Sequence, residues 1–123
     1  MFDLEPREAR LLLNVALMAI GQNRFQSAEK ILGVLERFRP TEPSLAVSNA
    51  ILRISRLDFQ GAVDYIDAEA LPRFPDSAML LAFKGMALLR MNREAEAIGP
   101  LSMAAGQSAD PAAARLAADL IPT

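Results

Sequence analysis

Apolar residues recur along this chain at the three- and four-residue intervals of an α-helix. Three stripes show the spacing most clearly: Leu13, Leu17 and Ile20; Val47, Ile51 and Ile54; and Met79, Phe83, Met86 and Leu89. No segment alternates strictly between apolar and polar residues, as a half-buried strand would. The pattern therefore predicts an all-α fold.

Glycine, proline and asparagine residues separate seven helical segments. The predicted helices cover 5–20, 24–38, 44–56, 59–70, 76–90, 94–105 and 111–120. Asp110 followed by Pro111 is typical of a helix start, because the carboxylate caps free N–H groups and proline fits the first turn. Gly99-Pro100 falls inside the sixth segment, where proline lacks a backbone N–H and crowds the preceding turn. We expect a kink there, or a helix that begins later.

A longer period joins these segments in pairs. Phe25 and Ala28 are followed 34 residues later by Phe59 and Ala62, and Ala97 comes 35 residues after Ala62. A helix–turn–helix unit of 34 residues is typical of the tetratricopeptide repeat. The alanines let the second helix of a pair approach the first, and the aromatic residues fill the gap between adjacent pairs. We predict a single domain over 1–123, with repeats at about 8–41, 43–75 and 77–110 and a cap at 111–120.

Small residues on the first helices support the same register, at Ala16, Ala50 and Gly85. Two charged residues depart from it. Arg53 and Lys84 stand where such a repeat normally packs an apolar side chain, so the register of the third and fifth helices is an open question.

The first and fifth predicted helices are apolar around almost their whole circumference. A helix at the edge of a domain needs only one apolar stripe. One stripe should form the interior; its example on the first helix is Leu12, Val15, Ala16 and Ala19. The other should line the concave surface of the stack, as a partner-binding groove of ten residues: Leu13, Leu17, Ile20, Val47, Ile51, Ile54, Met79, Phe83, Met86 and Leu89.

An aliphatic groove that contains methionine suits an amphipathic helix of another protein, because methionine adapts its shape to the guest. Two alternatives stay open. The last helix can fold back into the groove, or two copies of the chain can pair through it as a homodimer.

The amino-acid composition limits the chemical reactions and ligands that this chain can support. The 123 residues include no cysteine and no histidine, which excludes disulfides, thiol chemistry and histidine-dependent catalytic pairs, and argues against a metal site. We therefore predict neither an enzyme nor a cofactor. The net charge of −2 disfavours nucleic acid as a partner. The longest apolar run, 11–20, is half of a membrane span, so we expect no membrane insertion.

Polar residues give weaker signals. The carboxylates Asp64, Asp67 and Glu69 on the fourth segment indicate a solvated helix face. Arg53 and Arg90 are candidates for ion pairs with a partner. Tyr65 is expected to pack its ring inside the protein with an exposed hydroxyl.

Three segments carry a resemblance to a known family. The first hairpin, residues 15–23 followed by Ala28-Glu29 and 31–36, resembles the start of the large chaperone that keeps the needle subunit of bacterial type III secretion systems soluble. Residues 51–55, with Leu57 and the aromatic–alanine turn after it, look like the second repeat of that family. The ending Asp110-Pro111-Ala112 with a short terminal helix is also similar.

This resemblance implies a chaperone in the bacterial cytoplasm whose concave face holds the C-terminal amphipathic helix of the secreted needle protein. It also implies a second, smaller co-chaperone. The related chaperones of secreted translocator proteins, which bind an extended peptide, are the first alternative. A generic scaffold repeat that bridges proteins through charged contacts is the second.

Overall fold

The structure, a computed structural model, describes residues 4–39 and 41–122, which form an all-α fold without strands in those ranges. The elements are α1 (Pro6–Gly21), α2 (Phe25–Phe38), α3 (Pro43–Ser55), α4 (Phe59–Tyr65), a π-helical turn (Ile66–Ala70), α5 (Leu71–Arg73), α6 (Ala78–Arg90), α7 (Glu94–Ala105) and α8 (Pro111–Leu120). The predicted fold class is confirmed. The fourth predicted helix extends further than expected, because α4, the π turn and α5 follow one another without interruption.

Side-chain caps fix three of the helix starts. The carboxylate of Asp110 accepts a hydrogen bond from the Ala113 N–H at 3.1 Å, as the sequence predicts. Asp58 and Ser77 cap α4 and α6 in the same way. Pro100 lies inside α7, which nevertheless begins at Glu94. The alternative of a later helix start is therefore wrong, while the kink stays a prediction.

The 34-residue period recurs in the backbone of three turns, those after α1, α3 and α6. Each turn contains one residue in the left-handed conformation: Asn23, Leu57 and Asn92, with φ of 61°, 65° and 59°. The N–H of the residue that follows donates to the carbonyl five positions earlier in each case: Arg24 to Ala19, Asp58 to Arg53 and Arg93 to Leu88. This bond closes the last turn of a helix and directs the chain into the next one.

These turns produce three helical hairpins, α1 with α2, α3 with α4, and α6 with α7. Neighbouring hairpins pack through α2 on α3 and α4 on α6, and α1, α3 and α6 meet in that order. The helix α8 packs on α6 and α7. The assignment to the tetratricopeptide repeat stays a prediction.

Small residues permit the close approach inside and between the hairpins. Ala28, Ala62 and Ala97 are fully buried, as their spacing indicates. A Cβ added at Gly85 would overlap the Leu101 side chain. Only a residue without a side chain allows α6 to lie this close to α7.

The aromatic residues at the start of α2 and α4 also lie between hairpins. The guanidinium of Arg56 lies 5.7 Å from the centroid of the Phe25 ring, and that of Arg90 lies 5.9 Å from the Phe59 ring. Both rings are partly buried against the core. The two pairs are 34 residues apart, so each ring meets an arginine at the C-terminal end of the first helix of the next hairpin.

Candidate functional site

Eight of the ten residues of the predicted groove share a register position with a groove residue of another hairpin, while Met79 and Phe83 on α6 do not. Leu17, Ile51 and Met86 occupy one register, 34 and 35 residues apart. Ile20, Ile54 and Leu89 occupy the register one turn further along. We call the first set the central row. Because α1, α3 and α6 pack in order, equivalent positions face the same side of the stack.

Most of these side chains are half-buried. Leu17 is 36% exposed and Ile20 only 5%, while the other eight are intermediate. Ile20 belongs to the core that joins α1, α2 and α3, so it supports the surface and does not contribute contact area. The other nine side chains are partly buried in the protein and partly exposed to solvent. The result is a shallow aliphatic surface across three helices.

The helix α8 lies at one end of the stack. Its buried residues Ala113 and Ala117 pack into the core formed with α6 and α7. These contacts place α8 beside α6, away from Leu17 and Ile51 on α1 and α3. Met79 and Leu89 of α6 pack against the same core as Ala113 and Ala117, so the alternative in which the last helix covers part of the groove stays a prediction.

A second apolar surface lies on α1. Leu11, Val15 and Met18 are 64%, 42% and 63% exposed and form one stripe, which we call the α1 end face. The expectation that Val15 lies in the interior is wrong. Of its predicted companions, Ala16 and Ala19 are buried and Leu12 is half-buried.

The later hairpins show why this face is open. The residues equivalent to Leu11 and Met18 are at most 4% exposed in both: Leu45 and Leu52 on α3, and Leu80 and Ala87 on α6. There, α2 packs on α3 and α4 packs on α6. Within the described residues, no helix occupies the corresponding place beside α1. The α1 end face is therefore apolar in sequence but is not covered by another described helix.

The charged residues that complicated the register pack against the fourth segment. The Arg53 guanidinium lies 4.3 Å from the centroid of the Tyr65 ring. Lys84 forms an ion pair of 2.7 Å with Asp67. Asp64, Asp67 and Glu69 are all exposed, which confirms a solvated face. The aliphatic stems of Arg53 and Lys84 thus cover the positions of the expected apolar residues.

A polar cleft of about 320 Å³ opens between α2 and the segment from α4 to α5, with α3 as its floor. Two ion pairs cross it, from Arg56 to Glu29 at 2.6 Å and from Arg73 to Glu36 at 3.0 Å. The hydrogen bond from Arg56 lowers the pKa of Glu29. These pairs join α2 to the second hairpin.

Tyr65 borders this cleft, and the prediction of an exposed hydroxyl is wrong. The residue is 7% exposed, and its hydroxyl is buried without a hydrogen-bond partner among the described residues. Burial is the main cause that raises the pKa of Tyr65. A buried hydroxyl without a partner costs about 1–3 kcal/mol of stability.

Two further classes of site receive no support within the described residues. They contain no group of three or more side chains that could hold a metal ion. None of the described helices is both long and apolar enough to cross a lipid bilayer.

Comparison with known proteins adds no assignment. No family model matches the chain, and no curated protein matches it. The resemblance to the needle-subunit chaperones therefore rests on the residues quoted for it.

Proposed function

We propose that this protein is a chaperone that binds an amphipathic helix of a secreted, self-assembling subunit along the aliphatic surface of α1, α3 and α6. The central row carries the proposal, because Leu17, Ile51 and Met86 present partly exposed apolar side chains at one register of the first helices of three consecutive hairpins. A guest helix with an apolar stripe at three- and four-residue intervals complements such a row. If the subunit polymerises through this apolar stripe, burial of the stripe against the chaperone prevents polymerisation.

The chemistry of the surface favours this function over a scaffold that uses charged contacts. None of the ten residues is charged. On α3, the charged residues Arg53 and Arg56 line the polar cleft, while Ile51 lies on the opposite side of the helix at 3.6 residues per turn. Binding through the central row should therefore lose little affinity as the ionic strength rises.

The resemblance gives the guest its identity in this proposal, the needle subunit of a type III secretion system. A translocator chaperone that takes an extended peptide is the alternative within the class. A helical guest is favoured because the central row is a broad aliphatic surface, whereas an extended peptide needs separate pockets for alternate side chains.

The α1 end face offers a place for the second partner that this proposal includes, a small co-chaperone. Its exposed residues Leu11 and Met18 correspond to positions that a helix covers in the later hairpins. A helix from the co-chaperone would cover them in the same way. In the absence of partners, a second copy of the chain would pair through this face or through the central row.

The test is a set of charge insertions in the central row, Leu17→Glu, Ile51→Glu and Met86→Glu. Met103→Glu is the matched control, since Met103 is 61% exposed on α7 outside the row. We expect each row variant to stay folded and to bind the needle subunit's C-terminal helix, supplied as a peptide, at least tenfold more weakly. Met103→Glu should bind as the unmodified chain does.

Leu101→Glu sets the scale for a core substitution, because Leu101 is fully buried. If the row variants unfold the isolated chain as severely as Leu101→Glu, the row is core and the binding surface does not exist. If they fold and bind the peptide with unchanged affinity, the guest binds elsewhere.

A further inference from the structure

The polar cleft between α2 and α4 contains two side chains with unused hydrogen-bond donors, Arg53 and Tyr65. The Tyr65 hydroxyl has no partner among the described residues. Arg53, which stacks on the Tyr65 ring, donates from Nη1 to the Asn49 carbonyl at 3.1 Å. No described carboxylate forms an ion pair with Arg53. One buried hydroxyl and one half-buried guanidinium thus lie together with unused donors.

The neighbouring charges are arranged differently. Arg56 and Arg73 each form an ion pair across the cleft with a glutamate of α2, Glu29 and Glu36 respectively. Tyr65 lines the cleft together with Arg73, Glu36, Arg53 and Glu69, the four residues whose charges act on its hydroxyl. Of the three arginines that line the cleft, Arg53 is the one for which no ion pair with a described carboxylate is formed, although its charge acts on Glu29.

The π-helical turn Ile66–Ala70 begins directly after Tyr65. A π turn inserts an extra residue into a helix and is frequent at functional sites. Here it follows Tyr65 and contains Glu69, and both residues line the cleft. The local backbone is therefore irregular at the point where the unpaired donors lie.

We infer that this cleft binds a carboxylate of a peptide, which accepts hydrogen bonds from the Arg53 guanidinium and the Tyr65 hydroxyl. A carboxylate has two oxygens and can accept from both donors at once, and its charge compensates that of Arg53. The glutamates Glu29, Glu36 and Glu69 around the cleft disfavour a doubly charged phosphate. A volume of about 320 Å³ accommodates one side chain or the end of a chain.

The site is separate from the proposed helix-binding surface. Arg53 and Asn49 line the cleft, and Ile51 of the central row lies on the other side of α3. A peptide can therefore occupy the cleft while a guest helix occupies the row.

The probe is N-acetyl-glutamate α-amide, with N-acetyl-glutamine α-amide as the neutral control of equal shape. Tyr65 is the sole tyrosine and the chain has no tryptophan, so its fluorescence reports on the cleft alone. Backbone NMR shifts of α3 and α4 give a second readout. We expect the glutamate compound to bind with a Kd of about 1 mM, and the glutamine compound at least tenfold more weakly.

N-acetyl-alanine, which has a free terminal carboxylate, tests whether the bound carboxylate comes from a chain end or from an acidic side chain. Inorganic phosphate should not compete with the glutamate compound. Arg53→Gln should weaken binding at least tenfold, whereas Arg90→Gln, at the arginine that stacks on Phe59, should leave it unchanged. Tyr65→Phe, followed by NMR, should weaken binding and raise the Tm of the free chain. The inference is overturned if neither compound shifts these signals at 50 mM, if both bind equally, or if Tyr65→Phe lowers the Tm.

Discussion

The contact between Gly85 and Leu101 predicts opposite effects for the same substitution at two glycines. Gly85 and Gly33 both lie inside helices, where alanine is favoured over glycine by about 1 kcal/mol. A Cβ at Gly33 meets nothing within 4 Å. A Cβ at Gly85 overlaps the side chain of Leu101, which is fully buried, so the overlap can be relieved only by repacking within the core.

The magnitudes follow from these surroundings. Gly33→Ala should stabilise the protein by about 1 kcal/mol, which raises the Tm by about 4 °C in a chain of this size. Gly85→Ala should cost about 1–3 kcal/mol of overpacking. After the gain in helix propensity of about 1 kcal/mol, the net loss is about 0–2 kcal/mol and the Tm falls by up to about 8 °C.

Thermal and urea unfolding, followed by circular dichroism at 222 nm, measure both variants under the same conditions. Leu101→Ala provides the control, because it removes the atoms that a Cβ at Gly85 would meet. In that background Gly85→Ala should stabilise the protein, as Gly33→Ala does in the unmodified chain. If Gly85→Ala raises the Tm in the unmodified chain, α6 and α7 are not as close as the structure has them, and the reasoning is refuted.

Two further predictions concern individual polar contacts. Asp58→Ala removes the carboxylate that accepts a hydrogen bond from the Gly61 N–H at 3.0 Å. This variant should lower the free energy of unfolding, measured by urea titration, by about 1 kcal/mol. The control Asp76→Ala, in the turn before α6, should change the free energy of unfolding by less than about 0.5 kcal/mol. The hydrogen bond from Arg56 lowers the pKa of Glu29 in the folded state from its ordinary value of 4.5. The contact therefore stabilises the protein above the unfolded-state pKa, and this stabilisation is lost as the pH falls through the folded-state pKa. Glu29→Gln should therefore lower the urea midpoint at pH 7 and leave it unchanged at pH 2; an equal deficit at both pH values would assign the effect to packing.

Local chemistry alone accounts for the helices and their pairing. Apolar intervals of three and four residues identified every long helix, because the interval is a property of the helix itself. The cap at Asp110 and the spacing of Ala28, Ala62 and Ala97 were equally readable, since each depends on residues close in sequence or on an exact period. The π turn was not, because no residue type in Ile66–Ala70 distinguishes it from an α-helical turn.

What the tertiary structure decided is which apolar and polar groups remain uncovered. Leu11 and Met18 differ in surroundings from their register equivalents on later helices because α2 and α4 cover α3 and α6, while no described helix covers α1 in this way. Ile20 and Leu17 belong to the same stripe, yet only Leu17 reaches the surface. The hydroxyl of Tyr65 is buried where residues of α2 and α3, distant from it in sequence, line the same cleft. A sequence fixes the face on which a side chain stands; whether another helix lies against that face depends on the packing of the whole chain.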